Sequence, residues 1–148
     1  MKTLTSILLL LLISIQAFAQ TDPELPESTV DFDSFIKVSK KVQKYRKGRM
    51  LDLDEFLKAS QEEGVIILDT RSEAAYKKKH VKGAIHLNFS DFTEGKLAKL
   101  IPDKETKILI YCNNNIDGDN INFAAKGEPL ALNIPTFINL YGYGYQNI

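Results

Sequence analysis

The chain has 148 residues, 19 basic and 19 acidic side chains and a formal net charge of zero. This length suits one globular domain with its own core. The balanced charge argues against a nucleic-acid partner, which would require an excess of basic residues. One cysteine and two histidines, scattered along the chain, do not have the spacing of a metal site. We therefore predict a single domain with no nucleic-acid partner, no metal and no cofactor.

Residues 1–19 have the organisation of a secretory signal peptide. Lys2 supplies the positive charge, residues 7–15 form an apolar core, and Ala17-Phe-Ala19 matches a cleavage pattern. The apolar stretch is shorter than the ~20 residues that a membrane-spanning helix needs. We predict cleavage after Ala19, export to the periplasm or the cell exterior, and no stable membrane span after cleavage. The mature chain of 129 residues would carry 18 basic and 19 acidic side chains.

Residues 20–49 are predicted to be a linker followed by a basic segment. Two prolines and three acidic residues lie between Thr21 and Ser28, and seven basic residues lie between Lys37 and Arg49. The basic segment fits either a short helix or an edge element. We interpret its charge as a solvated face rather than a partner-binding site.

Residues 50–148 show the alternation of strands and helices that is typical of an α/β fold. Apolar runs at 65–68 and, within the predicted strand 107–111, after Lys107 are typical of strands that are covered on both faces of a parallel sheet. Residues 51–63 form an amphipathic pattern that Asp52 and Glu55 can cap, with Gly64 as the stop. The other predicted elements are helices at 70–79, 90–100 and 120–128, and strands at 81–87 and 136–141.

Cys112 ends the second apolar run, and a polar segment that contains Gly118 follows it. Ligands of open α/β sheets bind beyond the carboxyl ends of the strands. Amides at the start of a following helix would there hold an anion or stabilise a thiolate. An odd cysteine in an exported chain indicates a reactive thiol or intermolecular pairing, whereas a small buried apolar residue is the alternative. We predict a solvent-reachable thiol at the mouth of a cleft.

Four segments, in their order and spacing, resemble a single-domain rhodanese. They are Val65-Ile-Ile-Leu-Asp69-Thr-Arg71, Tyr76-Lys-Lys-Lys-His80-Val-Lys-Gly83-Ala-Ile85, the strand to Cys112, and Phe137-Ile-Asn-Leu-Tyr-Gly142-Tyr-Gly144. The resemblance covers roughly residues 51–148 and implies a rhodanese-like three-layer sandwich with a mostly parallel sheet of about five strands. It leaves open whether a C-terminal helix follows the glycine turn.

The resemblance also implies sulfur transfer, with Cys112 carrying a persulfide between a small-molecule or protein sulfur donor and an acceptor thiol. Loop amides would stabilise the charged sulfur. Asp69 and Arg71 are expected to tie the strand end to neighbouring loops. His80 is expected to bond locally before the turn at Gly83.

The predicted sulfur-binding loop departs from the family pattern, which typically reads Cys-x-x-Gly-x-Arg. Here Gly118 lies six residues after Cys112, and no lysine or arginine lies between Cys112 and Lys126. Two carboxylates, Asp117 and Asp119, each oppose a dianionic donor by on the order of 1–3 kcal/mol. The predicted loop residues are Asn113, Asn114, Asn115, Ile116, Asp117 and Gly118.

These differences predict weak or absent thiosulfate activity and favour a neutral or cationic sulfur partner. The missing arginine also argues against phosphatase-like chemistry. Whether the chain is an enzyme stays open. The alternative is a catalytically weak or inactive rhodanese-like module for partner binding or thiol redox sensing.

Overall fold

Five α-helices and three strands occur in residues 29–148, the part of the chain that the computed structural model describes. The helices are α1 (Phe32–Tyr45), α2 (Leu53–Ala59), α3 (Glu73–Lys78), α4 (Glu94–Leu100) and α5 (Asn133–Gly142). The strands are β1 (Ile66–Asp69), β2 (Ile85–His86) and β3 (Ile108–Tyr111). The predicted signal peptide and most of the predicted linker lie outside these residues.

The three strands form one parallel sheet in the order β2-β1-β3. Leu68 of β1 lies opposite Ile85 of β2 and Ile110 of β3. Parallel neighbours require crossover connections, and the crossovers here contain α3 and α4. The predicted α/β class with a parallel sheet flanked by helices is confirmed, although the described residues contain three strands rather than about five.

The sheet is covered on both faces because successive side chains of a strand point in opposite directions. Leu68 and Ile108 belong to the core cluster that contains residues of α4 and α5. Ile67 and Leu109 belong to the cluster that contains residues of α2 and α3. Burial on two sides explains the continuous apolar runs in the sequence.

The starts of the short helices are set by side-chain caps. Asp52 and Glu55 form the predicted capping box of α2, with bonds of 2.8 and 3.0 Å. Helix α3, predicted from residue 70, is capped by Ser72, and the Thr70 hydroxyl lies 2.9 Å from that of Thr136. Thr93 caps α4, so this helix begins later than the predicted residue 90.

The predicted strand at residues 136–141 is wrong, because these residues lie in α5. Ile134, Phe137, Ile138 and Tyr141 have the i, i+3, i+4, i+7 spacing of one helix face. Pro135 lies in the first turn, where a missing amide hydrogen costs no intrahelical bond. Aromatic and β-branched composition favoured the strand, but the spacing of the apolar residues prevails.

The predicted helix at residues 120–128 is also wrong. The segment between Gly118 and Gly127 contains turns and bends, followed by a 3-10 turn at Glu128–Leu130. Gly118 has a φ of +79°, and the Asp119 carboxylate accepts bonds from the backbone and side chain of Asn122. These local bonds favour a turn over a continuing helix.

Helix α1 packs against α5 and extends further toward the N-terminus than the basic segment. Asp31 caps it by accepting a 2.9 Å bond from the Ser34 amide. Val42 is buried against Phe137 and Ile138, and the Tyr45 hydroxyl donates to the Gln146 carbonyl at 2.8 Å. No helix in the described part of the chain has the length and apolar character required to cross a membrane.

Candidate functional site at the carboxyl edge of the sheet

A buried ionic network joins the carboxyl ends of β1 and β3. The Arg71 guanidinium donates to both carboxylate oxygens of Asp69, with distances of 3.0 Å from Nε to Oδ1 and 2.7 Å from Nη2 to Oδ2. The Tyr111 hydroxyl donates to the same carboxylate. Asp69 is fully buried and Arg71 is 4% exposed, so both charges depend on these partners.

Arg71 also reaches two other segments. Its Nη2 donates to the Lys79 carbonyl at 2.7 Å, and its Nη1 donates to the Asn122 carbonyl at 3.2 Å. The guanidinium carbon lies 4.4 Å from the centre of the Phe123 ring. The side chain therefore connects the end of β1, the end of α3 and the loop after Cys112.

The network fixes the ionisation states of its members. Burial opposes the charge on Asp69, but hydrogen bonds from Arg71 and Tyr111 outweigh it and hold the Asp69 pKa below its usual range. Burial, together with the bond to Asp69, raises the pKa of Tyr111 to about 12. The carboxylate charge is thus engaged by partners of the fold and is not presented to a substrate.

The two histidines flank one tyrosine. The His80 ring stacks on Tyr76 at 4.0 Å between centroids, and His86 lies on the same ring at 4.8 Å. His80 Nδ1 bonds to the Tyr76 carbonyl, and His86 Nε2 to the Arg71 carbonyl, each at 2.8 Å. Gly83 occupies the following turn with a φ of +84°. The bonding partners of both histidines are therefore backbone groups of neighbouring segments.

Cys112 follows β3 directly and is 1% exposed. Its amide donates to Asn115 Oδ1 at 2.9 Å, and its Sγ lies 3.9 Å from Asn114 Oδ1. The prediction of a solvent-reachable thiol at the mouth of a cleft is therefore wrong for this structure. A 3-10 turn at Asn113–Asn115 follows the cysteine directly, and the α-helix predicted from residue 120, whose amides were expected to face the thiol, does not form.

The side chains of Asn113 and Asn114 fasten the loop that encloses the thiol. Their amides find partners further along the chain: Asn113 Nδ2 donates to the Ala124 carbonyl at 2.8 Å, and Asn114 Nδ2 to the Lys126 carbonyl at 2.6 Å. Asn114 Oδ1 also accepts from the Lys126 amide at 3.2 Å. The side chains expected to bind an anion instead fasten their own loop.

The remaining predicted loop residues differ in their exposure and in their contacts. Asp117 and Gly118 are exposed, whereas Ile116 packs against the cluster under α2 and α3. Asp119 forms an ion pair with Lys79, with 2.7 Å between Oδ2 and Nζ. Bonds from Lys79 and Asn122 lower the Asp119 pKa to about 2. Its charge is therefore partly compensated, which weakens the repulsion that the sequence predicts.

No pattern in the sequence indicates several of these partners. Lys79 and Asp119 are 40 residues apart, and Asn115 Oδ1 accepts from Asn133 Nδ2 over 18 residues. Such pairs have no local spacing that marks them. Only the fold brings the end of α3 and the start of α5 against the loop.

A cavity of about 270 Å³ lies beside β3, but it does not include Cys112. Its wall contains the whole of β3 together with Asn115 and Ile116. On this side of the strand the Ile108 amide donates to the Asn147 carbonyl at 2.8 Å. Among the described residues, no three histidine, cysteine or acidic side chains cluster as metal ligands would.

The model of the rhodanese-like domain family matches residues 52–148, which is more than half of the chain. The chain belongs to this family. The matched segment of the rhodanese-like protein begins at Asp52, the cap of α2, and contains all three strands and Cys112. No curated protein and no solved structure matches the chain.

Proposed function

We propose that this rhodanese-like protein carries a sulfane sulfur atom on Cys112, in a site that stays closed until its loop opens. One observation supports the proposal above the others. The thiol lies at the carboxyl end of β3, where ligands of parallel sheets bind, and the hydrogen bonds of Asn113 and Asn114 fasten the loop segment that covers it. Bonds of this kind are worth about 1 kcal/mol each, so the loop opens at modest cost.

The transfer takes place in two displacements. The Cys112 thiolate attacks the outer sulfur of a donor R–S–SH, the donor's S–S bond breaks, and the donor leaves as the thiolate R–S⁻ with the electron pair. Cys112 then carries the group S–SH. An acceptor thiolate attacks that outer sulfur, the Cys112–sulfur bond breaks, and the Cys112 thiolate is restored. Both steps are thiolate attacks on sulfur and need no added oxidant.

The charges of the loop favour a donor that carries less negative charge than thiosulfate, such as an alkyl persulfide. No lysine or arginine lies between Cys112 and Lys126, and the exposed Asp117 adds negative charge at the surface of the loop. Lys79 is already paired with Asp119. A dianion such as thiosulfate therefore finds no cation between Cys112 and Lys126, and we expect its turnover to be slow.

Mass spectrometry after exposure to cysteine persulfide tests the proposal. We expect Cys112 to gain one sulfur atom and to release it to cyanide as thiocyanate, whereas Cys112→Ser does neither. Thiosulfate under the same conditions should react more slowly than the persulfide. The variant Asn114→Ala, which loosens the loop, should accept sulfur faster than the wild type.

A second candidate function is a thiol module without turnover, which the 1% exposure of Cys112 favours. The same experiment separates the two functions. If neither the wild type nor the folded Asn114→Ala variant accepts sulfur from the persulfide, sulfur carriage is excluded and the module without turnover is the better description.

A further inference from the structure

Helix α1 presents an outward row of side chains that the sulfur chemistry does not use. Phe32, Ile36, Lys40 and Lys44 follow one another at intervals of four residues, and such residues share one strip of a helix surface. All four are exposed. The opposite side of α1 holds Val42, which is buried against α5. Ile36 and Lys40 also border a cleft against α5, so the row lies at the edge of this packing face and is partly open to water.

Within the described part of the chain, the N-terminal end of α1 exposes apolar side chains. Phe32 is 67% exposed and Phe35 is 43% exposed, and their ring centroids lie 6.3 Å apart. Ile36 is 36% exposed on the next turn. Aromatic pairs on the first turn of a surface helix expose apolar area to water, which marks an interaction site when charges border it.

The remainder of the exposed surface of α1, together with the turn after it, carries lysines that form no ion pair with another described residue. Within residues 29–148, ion pairs involve Arg71 and lysines of other elements, but none involves a basic side chain of α1 or of the turn after it. Asp33 is the only acidic residue within α1. The exposed lysines of this surface are Lys37, Lys40, Lys41, Lys44 and Lys47.

We propose that this surface docks on an anionic phospholipid bilayer. Phe32, Phe35 and Ile36 would enter the boundary between headgroups and acyl chains, and the lysines would lie at the lipid phosphates. A helix with apolar residues beside a lysine-rich face binds in the plane of such an interface. Each lysine near an anionic surface strengthens binding about fivefold.

The geometry favours a bilayer over an acidic protein. The exposed lysines follow one another at intervals of one to three residues along one helix and the turn after it, and a flat surface contacts such a row along its whole length. Lysine is a flexible point charge, which suits mobile headgroups. Docking in this way leaves the contact of Val42 with α5 intact, so the domain need not change shape.

Co-sedimentation of the full chain with large vesicles tests the proposal. The vesicles contain phosphatidylcholine alone or phosphatidylcholine with phosphatidylglycerol, so the effect of the apolar N-terminal segment is common to both and to all variants. We expect binding to the anionic vesicles to be more than about a hundredfold tighter than to the neutral ones. Raising the salt concentration should abolish this difference.

Two charge-reversal variants of equal net charge form the matched pair. Lys40→Glu with Lys44→Glu should lower the ratio of the affinities for anionic and neutral vesicles by at least about tenfold. Lys78→Glu with Lys99→Glu, on α3 and α4, should change this ratio by less than about twofold. Phe32→Ser with Phe35→Ser should weaken binding while leaving the salt dependence in place. Circular dichroism confirms that each variant is folded.

Three results would overturn the proposal. The first is equal binding of the wild type to neutral and anionic vesicles. The second is an equal loss in both charge-reversal variants, which would indicate net charge rather than this surface. The third is binding to a polyglutamate peptide that depends on Lys40 and Lys44 without any preference for anionic vesicles, which would assign the surface to an acidic protein.

Discussion

At the scale of single residues, Arg71 connects more of the carboxyl edge than any neighbour in its network. It donates to Asp69, to the Lys79 carbonyl and to the Asn122 carbonyl. These groups belong to β1, to the end of α3 and to the loop after Cys112. Because Asp69 is fully buried, removing its partner leaves a charge without compensation.

We predict that Arg71→Ala lowers the free energy of unfolding by about 3–5 kcal/mol. Urea denaturation followed by circular dichroism measures this loss. The control is Lys77→Ala, which breaks an exposed pair with Glu73 and should cost no more than about 0.5 kcal/mol. Similar losses in the two variants would contradict the structural role of Arg71.

The Asp69 carboxylate should also make stability depend on pH. Its pKa is held below the usual range in the folded protein, so its contribution is present above the unfolded pKa of about 3.9 and is lost as pH falls through the folded value. Asp69→Asn should therefore be less stable than the wild type at pH 7, by about 2 kcal/mol. This difference in the free energy of unfolding should become smaller below about pH 4. A difference that stays constant with pH would show that the Asp69 pKa is the same in the folded and the unfolded protein.

At the scale of elements, the loop after β3 determines whether Cys112 can react. Asn114 bonds to both the amide and the carbonyl of Lys126, so one side chain closes the loop twice. Asn120 lies in the same loop, is exposed, and makes no side-chain hydrogen bond to another described residue. The two asparagines therefore form a matched pair for mutation.

We predict that Asn114→Ala makes Cys112 react about tenfold faster with a thiol-labelling disulfide, because the two lost bonds raise the population of the open loop. Asn120→Ala should leave the rate unchanged. The rate of release of the coloured thiol from the reagent measures labelling. Equal rates in all three proteins would show that opening does not depend on the Asn114 bonds.

The same loop shows how far the sequence predicts this molecule. The strands Ile66–Asp69 and Ile108–Tyr111 fall within one residue of the predicted strands 65–68 and 107–111, because a strand covered on both faces reads as an apolar run. The capping box of Asp52 was predictable because its two residues are three apart. Such features depend on residues that are close together in the sequence, so the spacing of those residues predicts them.

Features that depend on distant partners were not predictable. The argument for an exposed thiol rested on the polar amides of Asn113 and Asn114, which cannot be buried without partners. The partners exist, but they lie 11 and 12 residues away in a segment with no periodic pattern. Helix α5 was missed for another reason: its residues have strand-like composition but helical spacing.

At the scale of the whole molecule, the compact unit extends beyond the segment that matches the family. Residues 31–148 form one unit, whereas the family match begins at residue 52. The link is the contact of α1 with α5, where Val42 is 2% exposed against Phe137 and Ile138. Helix α5 in turn contributes Leu140 to the core under β1 and β3. Helix α1 is thus coupled to the sheet through α5.

We predict that Val42→Ala lowers the free energy of unfolding of the whole unit by about 1–2 kcal/mol, because it leaves a cavity between α1 and α5. Val30→Ala removes the same atoms from a side chain that is 77% exposed and should cost less than about 0.5 kcal/mol. A single unfolding transition, seen both in helix content and in tyrosine fluorescence, should shift for Val42→Ala. If α1 instead melted in a separate, earlier transition while the rest stayed unchanged, the helix would be an appendage rather than part of the cooperative unit.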